Sequence, residues 1–454
     1  MSRTLGVSAL ALTASAAFAQ GNSPYSRYGL GDLVSPTHIS NRGMGGISAG
    51  DADFNHINFN NPASYSQLLG FAQVRNKKRL SSGRAIFDVG VHIDQRTLRE
   101  PGRTDKFTAS DVNLAYIQVG VPLRHNWGLV FGIRPISRVS YDIVEAGRFT
   151  NGDSIRTQFS GNGGAYLPSI GTGFSIGSLS LGANIGYLFG NRESNSERYF
   201  ENDSVAFYQG LFRSNSSFGK IFFNFGAQYY IKLGGGRTDS ASARLAKRGQ
   251  LQFLRLGVAG NVRQSLGGTQ NQTIGTFTFD PGGTLTDTVL SRKDVSGTVV
   301  YPSSLTSGFM LGGLTGGGAS WTAGADVVYT KWSEYRFFGV ADAVTDNMLF
   351  RAGAQIAPSP RESFFSRVAY RAGFGVGKDY ITAGGELPYW SASAGFGFNL
   401  GHFNSQARNQ ATLVNLGFEY QNRGNNNSLL KENTFRLSIG LSLSDAWFIK
   451  RKYD

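Results

Sequence analysis

Gly173-Phe174-Ser175-Ile176-Gly177 has the G-x-S-x-G spacing of a serine nucleophile. That chemistry needs a strand, a sharp elbow and then a helix whose N-terminus faces the oxyanion, whereas here a second strand pattern follows. The glycines are expected to serve a hairpin and close packing instead. Ser217 and Lys220 stand in S-x-x-K spacing without a supporting partner motif. The five histidines, His38, His56, His92, His125 and His402, never fall at i, i+2 or i, i+4, so the sequence offers no zinc or iron site. Asp51-x-Asp53-x-Asn55 opens like a calcium loop, but His56 stands where that loop needs glycine and no Glu closes it. Polar contacts within a folded segment are its expected role. No catalytic residue, metal or cofactor is expected, and the chain reads as non-enzymatic.

The remaining chemistry lies in polar side chains on the small-residue faces of alternating stretches: Asn224, Gln228, Asp326, Arg367, Arg371, Glu419 and Arg436. Charged groups at membrane depth persist only where they face water or pair with one another. These residues are therefore expected to line a lumen and to hold a segment inside it by ion pairs and hydrogen bonds. Direct contact with a transported substrate is the other use open to them.

The segment to be held is Asn22 to Gly70, rich in Gly, Asn and Ser and without an apolar period that would let it fold alone. It reads as a plug. Only its end is regular: Asn61 suits an N-cap, Pro62 the first helical position, and Gly70 the close of a helix of about two turns.

A container for such a segment is what the composition describes. The chain has 454 residues, 61 of them Gly, with 13% aromatic and only 16% charged residues, an unusual balance for a soluble protein. Mean hydropathy is -0.20, and helical spans would each need about 20 consecutive apolar residues, so a membrane form must use strands. Ser2 to Ala19 carries Arg3, an apolar run from Leu5 to Phe18 and an Ala17-Phe18-Ala19 cleavage signature, which predicts an exported chain maturing at Gln20. With no Cys there is no lipobox and no disulfide framework. The formal charge of +14 is scattered, the only basic runs being Lys77-Lys78-Arg79 and Lys450-Arg451-Lys452, so no nucleic-acid partner is expected.

From Arg84 onward the sequence repeats about ten residues of period-two alternation and then a turn. In Lys220 to Ile231, Ile221, Phe223, Phe225, Ala227, Tyr229 and Ile231 share one face and Asn224, Gly226 and Gln228 the other. Strands are predicted to begin near Arg84, Asp111, Asn126, Ala165, Leu179, Ser217, Gln250, Thr306, Ser320, Met348, Phe364, Pro388, Ala411 and Asn433. Links such as Leu123 to His125 and Ile176 to Ser178 are short, while those around Gly152, Asn195 and Gln270 are long, as in an outer-membrane barrel with both ends in the periplasm. Lys232 to Gly249 is long where a short turn is expected. The loop Ser265 to Ser304 is expected to carry an extra hairpin at Thr273 to Phe279. The fold class is thus all-β: a transmembrane antiparallel β-barrel of about 14 strands with an N-terminal plug. The chain divides into a signal peptide over 1–19, a plug over 20–83, a barrel over 84–445 and a periplasmic tail over 446–454.

Asn22-Ser-Pro-Tyr-Ser-Arg-Tyr-Gly29, Arg42-Gly-Met-Gly-Gly46, Asn58-Phe-Asn-Asn-Pro-Ala-Ser-Tyr65, Lys331-Trp-Ser333, the Asp346-Asn to Ala357-Pro strand and the closing Trp447-Phe-Ile-Lys-Arg-Lys452 together resemble the FadL/OmpP1/TodX family of outer-membrane transport proteins, in the form found in Bacteroidetes. The resemblance covers most of the chain. It implies a 14-stranded barrel filled by a hatch bearing the Asn-Pro-Ala element, here Asn61, Pro62 and Ala63, with Asn58 and Asn60 beside it. It also implies one of two roles. The first is passive transport of hydrophobic, fatty-acid-like small molecules across the outer membrane. The alternative is a PorV-type subunit of a type IX secretion or outer-membrane assembly complex, with protein partners docking on outer loops such as Gly190 to Ser216 or on Lys450 to Lys452. Inward positions that are mostly Ser, Gly, Asn, Gln and Arg depart from a greasy transporter lumen. Membrane lipids surround the barrel in either case.

Overall fold

Every long alternating stretch of the sequence pairs with neighbours to make one wall. The computed structural model describes residues 22–72, 80–148, 152–201, 208–233, 251–277, 285–315, 318–359, 363–400 and 411–447. The expected signal peptide, the two basic runs, most of Lys232 to Gly249 and all but the first two residues of the tail lie outside them.

The chain begins with β1 (Asp32–Leu33), the one-turn helix α1 (Ile39–Arg42) and β2 (Gly70–Ala72). The wall then rises through β3 (Leu80–Arg99), β4 (Lys106–Arg124), β5 (Trp127–Arg148), β6 (Ser154–Ile176), β7 (Leu179–Glu201), β8 (Gln209–Lys232) and β9 (Leu251–Asn261). A hairpin of β10 (Gln264–Phe277) and β11 (Leu285–Tyr301) follows. After it come β12 (Ser304–Leu314), β13 (Ser320–Thr330), the short β14 (Arg336–Phe337), β15 (Asn347–Ala357), β16 (Val368–Lys378), β17 (Pro388–Asn399), β18 (Ala411–Arg423) and β19 (Lys431–Trp447).

All pairings are antiparallel. β3 to β9 pair in sequence, β9 pairs with β12, β12 with β13, β13 with β15, and β15 to β19 pair in sequence. β19 then pairs with β3 from Lys431↔Arg99 to Trp447↔Gly83 and closes a ring of 14 described strands. β10 and β11 stand outside this count: β10 pairs with the upper half of β8, from Gln209 to Gly219, so the hairpin extends the wall beyond one rim. The sequence signalled a hairpin there but put it in the shorter Thr273 to Phe279. Gly190 to Ser216, expected as an outer loop, belongs largely to β7 and β8 in the same extension.

Side-chain alternation decides which face meets lipid. Ile221, Phe223, Phe225 and Tyr229 of β8 are exposed outward, while Asn224 and Gln228 are buried inward. In β19, Phe435, Ile439 and Leu443 point out and Ser438 and Ser442 point in. A closed wall with an apolar outside and a polar inside is the form in which strands cross a membrane. Ser175 and Gly177 lie at the β6–β7 turn, with Gly177 at φ 59°, so the G-x-S-x-G match serves a hairpin. Several strand starts need correction: β4, β6 and β8 begin at Lys106, Ser154 and Gln209, well before the expected Asp111, Ala165 and Ser217, while Phe364–Arg367 is a 3-10 turn and β16 begins at Val368. Arg367 therefore sits at the foot of the wall, half-buried, and not on the lumen face of a strand.

Residues between Ser23 and Leu68 pack against the wall, and β2 then pairs with the start of β3. Ile39 meets Gly440, Met44 meets Gly353 and Gly373, Ala49 meets Gly257, and Pro62 meets Gly182. A segment can touch β7, β9, β15, β16 and β19 together only from inside. It also carries the core. Ile39, Ile57, Phe59, Tyr65 and Leu68 cluster with Ile86, Tyr116 and Val130 of the wall, and Tyr25 and Leu30 join a second cluster with Leu266, Trp332, Tyr335 and Tyr380.

Strands hydrogen-bonded into a closed ring resist detergent. Unheated protein is expected to migrate ahead of boiled protein on SDS gels, and identical mobility would speak against a closed ring.

Candidate functional site

The Asn-Pro-Ala element is seated first. Asn61 caps the 3-10 helix Pro62–Gln67 by accepting from Ala63 N at 3.2 Å. The expected helix is thus real but tighter and shorter, ending at Gln67 with Leu68 rather than Gly70 as its cap. The Asn61 amide donates to Ala49 O at 2.7 Å and to the wall carbonyls Val258 O at 3.3 Å and Ala227 O at 3.4 Å. Asn58 donates to Ser48 O and Asp51 O, and Asn60 to Ser48 Oγ. These amides staple the segment onto itself and onto β8 and β9. The wall makes room with glycines: a Cβ on Gly226 would lie 2.0 Å from Asn61 Oδ1, and one on Gly182 2.3 Å from the Pro62 carbonyl carbon.

Three of the seven lumen residues legible in the sequence, Gln228, Asp326 and Glu419, bond to this segment. Gln228 donates to Ala49 O and Asp51 O, both at 2.9 Å. Asp326 accepts from Ser48 N at 2.6 Å and Ala49 N at 2.9 Å. Glu419 accepts from both Nε and Nη2 of Arg42. Arg436 makes a bidentate pair with Asp94, and Arg371 donates to the wall amides Gln355 and Asn415. Asn224 lines the central cavity.

Sequence reasoning missed the largest ionic cluster among the described residues. Arg423 contacts Asp379 at 2.8 Å, Asp32 at 3.0 Å and Glu432 at 3.6 Å, while Arg96 contacts Asp32 at 2.7 Å and Glu432 at 2.9 Å. Burial raises the Asp32 pKa, but the two guanidiniums outweigh it and hold the carboxyl well below its ordinary range. The cluster joins β1 to β3, β18, β19 and the link after β16. Around it lies a cavity of about 250 Å³, whose lining includes Arg42, Arg134, Arg351, Glu419, Arg423 and Glu432.

Histidine spacing also hid a contact. His38 and His56 stack with ring centroids 4.6 Å apart. His56 Nε2 is 2.9 Å from Asp51, and His38 Nε2 is 3.7 Å from Asp88 on the wall. Burial alone would lower the His56 pKa, but Asp51, with Asp53 and Asp88, raises it to about 8. Burial, helped by His56 and Arg371, holds His38 well below its usual value. His56 therefore adds stability that is full below about pH 6.5 and is lost as pH rises through its folded value. His38 is favoured neutral, and its contribution, present above about pH 6.5, fades as pH falls. Amide exchange over residues 51–58, corrected for the intrinsic rate, is expected to be faster at pH 9 than at pH 7 and to lose that difference in His56→Gln. Equal protection at both pH values would refute the coupling.

A single family model, described as BamG, matches residues 1–454. The chain belongs to the BamG family. No curated protein matches it at a significant level. Among solved structures, a Pseudomonas aeruginosa FadL homologue is 14% identical with a TM-score of 0.49, over 92% of this chain and 100% of that one. The Pseudomonas putida toluene transporter TodX gives 14% and 0.49, over 92% and 99%. At that distance the likeness says nothing about what this BamG-family barrel binds.

Proposed function

We propose that the protein is a non-enzymatic outer-membrane barrel, plugged by its own N-terminal segment, that serves as a subunit of an outer-membrane assembly complex. The observation that carries this is the lumen. It is filled by chain fixed through ion pairs and amide hydrogen bonds, and the cavity that remains is edged by six arginines and four carboxylates, a poor host for an apolar ligand. The reading is in keeping with the family's Bam designation. It leaves the protein's work to its surfaces, where protein partners can dock.

Passive transport of hydrophobic small molecules is the second reading, favoured by Leu33, Val34, Ile136, Phe222 and Leu349 on the same cavity. Mild extraction and purification, followed by identification of both lipids and proteins, separates the two. Stoichiometric protein partners without bound lipid are expected, and the partners' identity would tell an assembly complex from a type IX secretion complex. A lone barrel retaining a fatty-acid-like molecule would overturn the assembly reading.

A further inference from the structure

The wall is not uniformly sealed. β4 and β5 pair only from Ile117↔Ile133 to Arg124↔Trp127. Above that point each carries a register break, β4 at Ala115 and β5 at Ile136, and the strands part. The edge of β5 is covered by this chain: β1 pairs antiparallel with Ser137 and Arg138, Val34 N donates to Ile136 O, and Ser23 N donates to Ser140 O. The edge of β4 from Lys106 to Tyr116 has no strand beside it among the described residues. Arg138 reaches across to donate to Leu114 O. Val112, paired with the outward Ile93 of β3 and itself 71% exposed, places this edge within the apolar belt.

Backbone groups at that depth must find partners, and lipid tails offer none. Beside the two strands, and lined also by β6, β7 and residues 22–34, lies a polar cavity of about 690 Å³. Within its lining Asp32 pairs with Arg96 and Asp94 with Arg436, which leaves Asp111, Asp142 and Glu193 against Arg138. We propose that the seam is a docking site where an extended segment of a partner polypeptide adds as a strand to β4 and turns basic side chains to this acidic cavity. β1 shows that the seam accepts a strand from inside. A second copy of the chain would bring like charges together and is disfavoured. The inference rests on the assembly-subunit reading.

A benzophenone side chain at Val112, activated in intact membranes, is expected to give a discrete adduct with another polypeptide. The same group at Phe350, an outward position on β15, is expected to give lipid adducts only. Asp111→Asn with Asp142→Asn should cut the Val112 protein adduct at least about fivefold, roughly 1 kcal/mol. The heat-modifiable band certifies that each variant is folded. As a second measurement, edge amides of 106–116 should exchange at least about tenfold more slowly in the purified complex than in the lone barrel. Lipid adducts alone at Val112, an adduct of two copies of this chain, or indifference to the aspartate changes would each overturn the proposal. If partners copurify but Val112 captures none of them, the seam proposal falls and the assembly reading stands. If no partner copurifies at all, both fall.

Discussion

Deleting residues 22–70 while keeping residues 1–21 is expected to turn a closed barrel into a conducting pore. Nothing in the ring is lost by the deletion, because the wall starts at β3 and closes through β19. What is lost is the filling: Ile39, Ile57, Phe59 and Tyr65 of one core cluster, Tyr25 and Leu30 of the other, and the segment's side of the Arg42–Glu419 pair and the Asp32 cluster. The lumen left behind is lined by Asn, Gln, Ser and charged side chains, which hold water readily. Single-channel recording in planar bilayers should pass from a flat baseline to discrete openings. Gly226→Leu should move in the same direction more weakly, since its side chain claims the space of Asn61. A folded, heat-modifiable deletion variant with unchanged conductance would mean that other residues close the lumen.

Arg423→Met is expected to be the costliest single change inside the barrel. The guanidinium serves Asp32, Asp379 and Glu432, and only Arg96 would remain near two of them. Removing one partner from a buried ionic cluster leaves uncompensated charge and costs about 3–5 kcal/mol, whereas an exposed pair such as Lys378–Glu386 is worth about 0–1. The readout is the temperature at which the fast-migrating band converts to the boiled position, which should fall clearly in Arg423→Met and hardly at all in Lys378→Met. Adding Asp379→Asn to Arg423→Met should recover part of the loss, since the two changes act on one contact. Equal shifts for Arg423 and Lys378 would show that the cluster does not hold the fold.

The sequence by itself determined the wall. Successive side chains of a strand must point to opposite faces, so Phe223 and Phe225 against Asn224 and Gln228 declared an outside and an inside before any partner strand was known. The same local logic found the Asn61 cap and the segment's need for a container. Tertiary structure decided what each inward group meets. Arg42 and Glu419 are 377 residues apart, and the Arg423 cluster gathers residues from both ends of the chain; such contacts exist only once the ring closes. His38 and His56 meet because the segment doubles back, which no residue spacing records. Arg367 was misplaced because alternation continues through the foot of β16 while the backbone has already turned. The parting of β4 and β5 was likewise beyond the sequence, since a bulge costs only one residue in the pattern yet redirects every pairing above it.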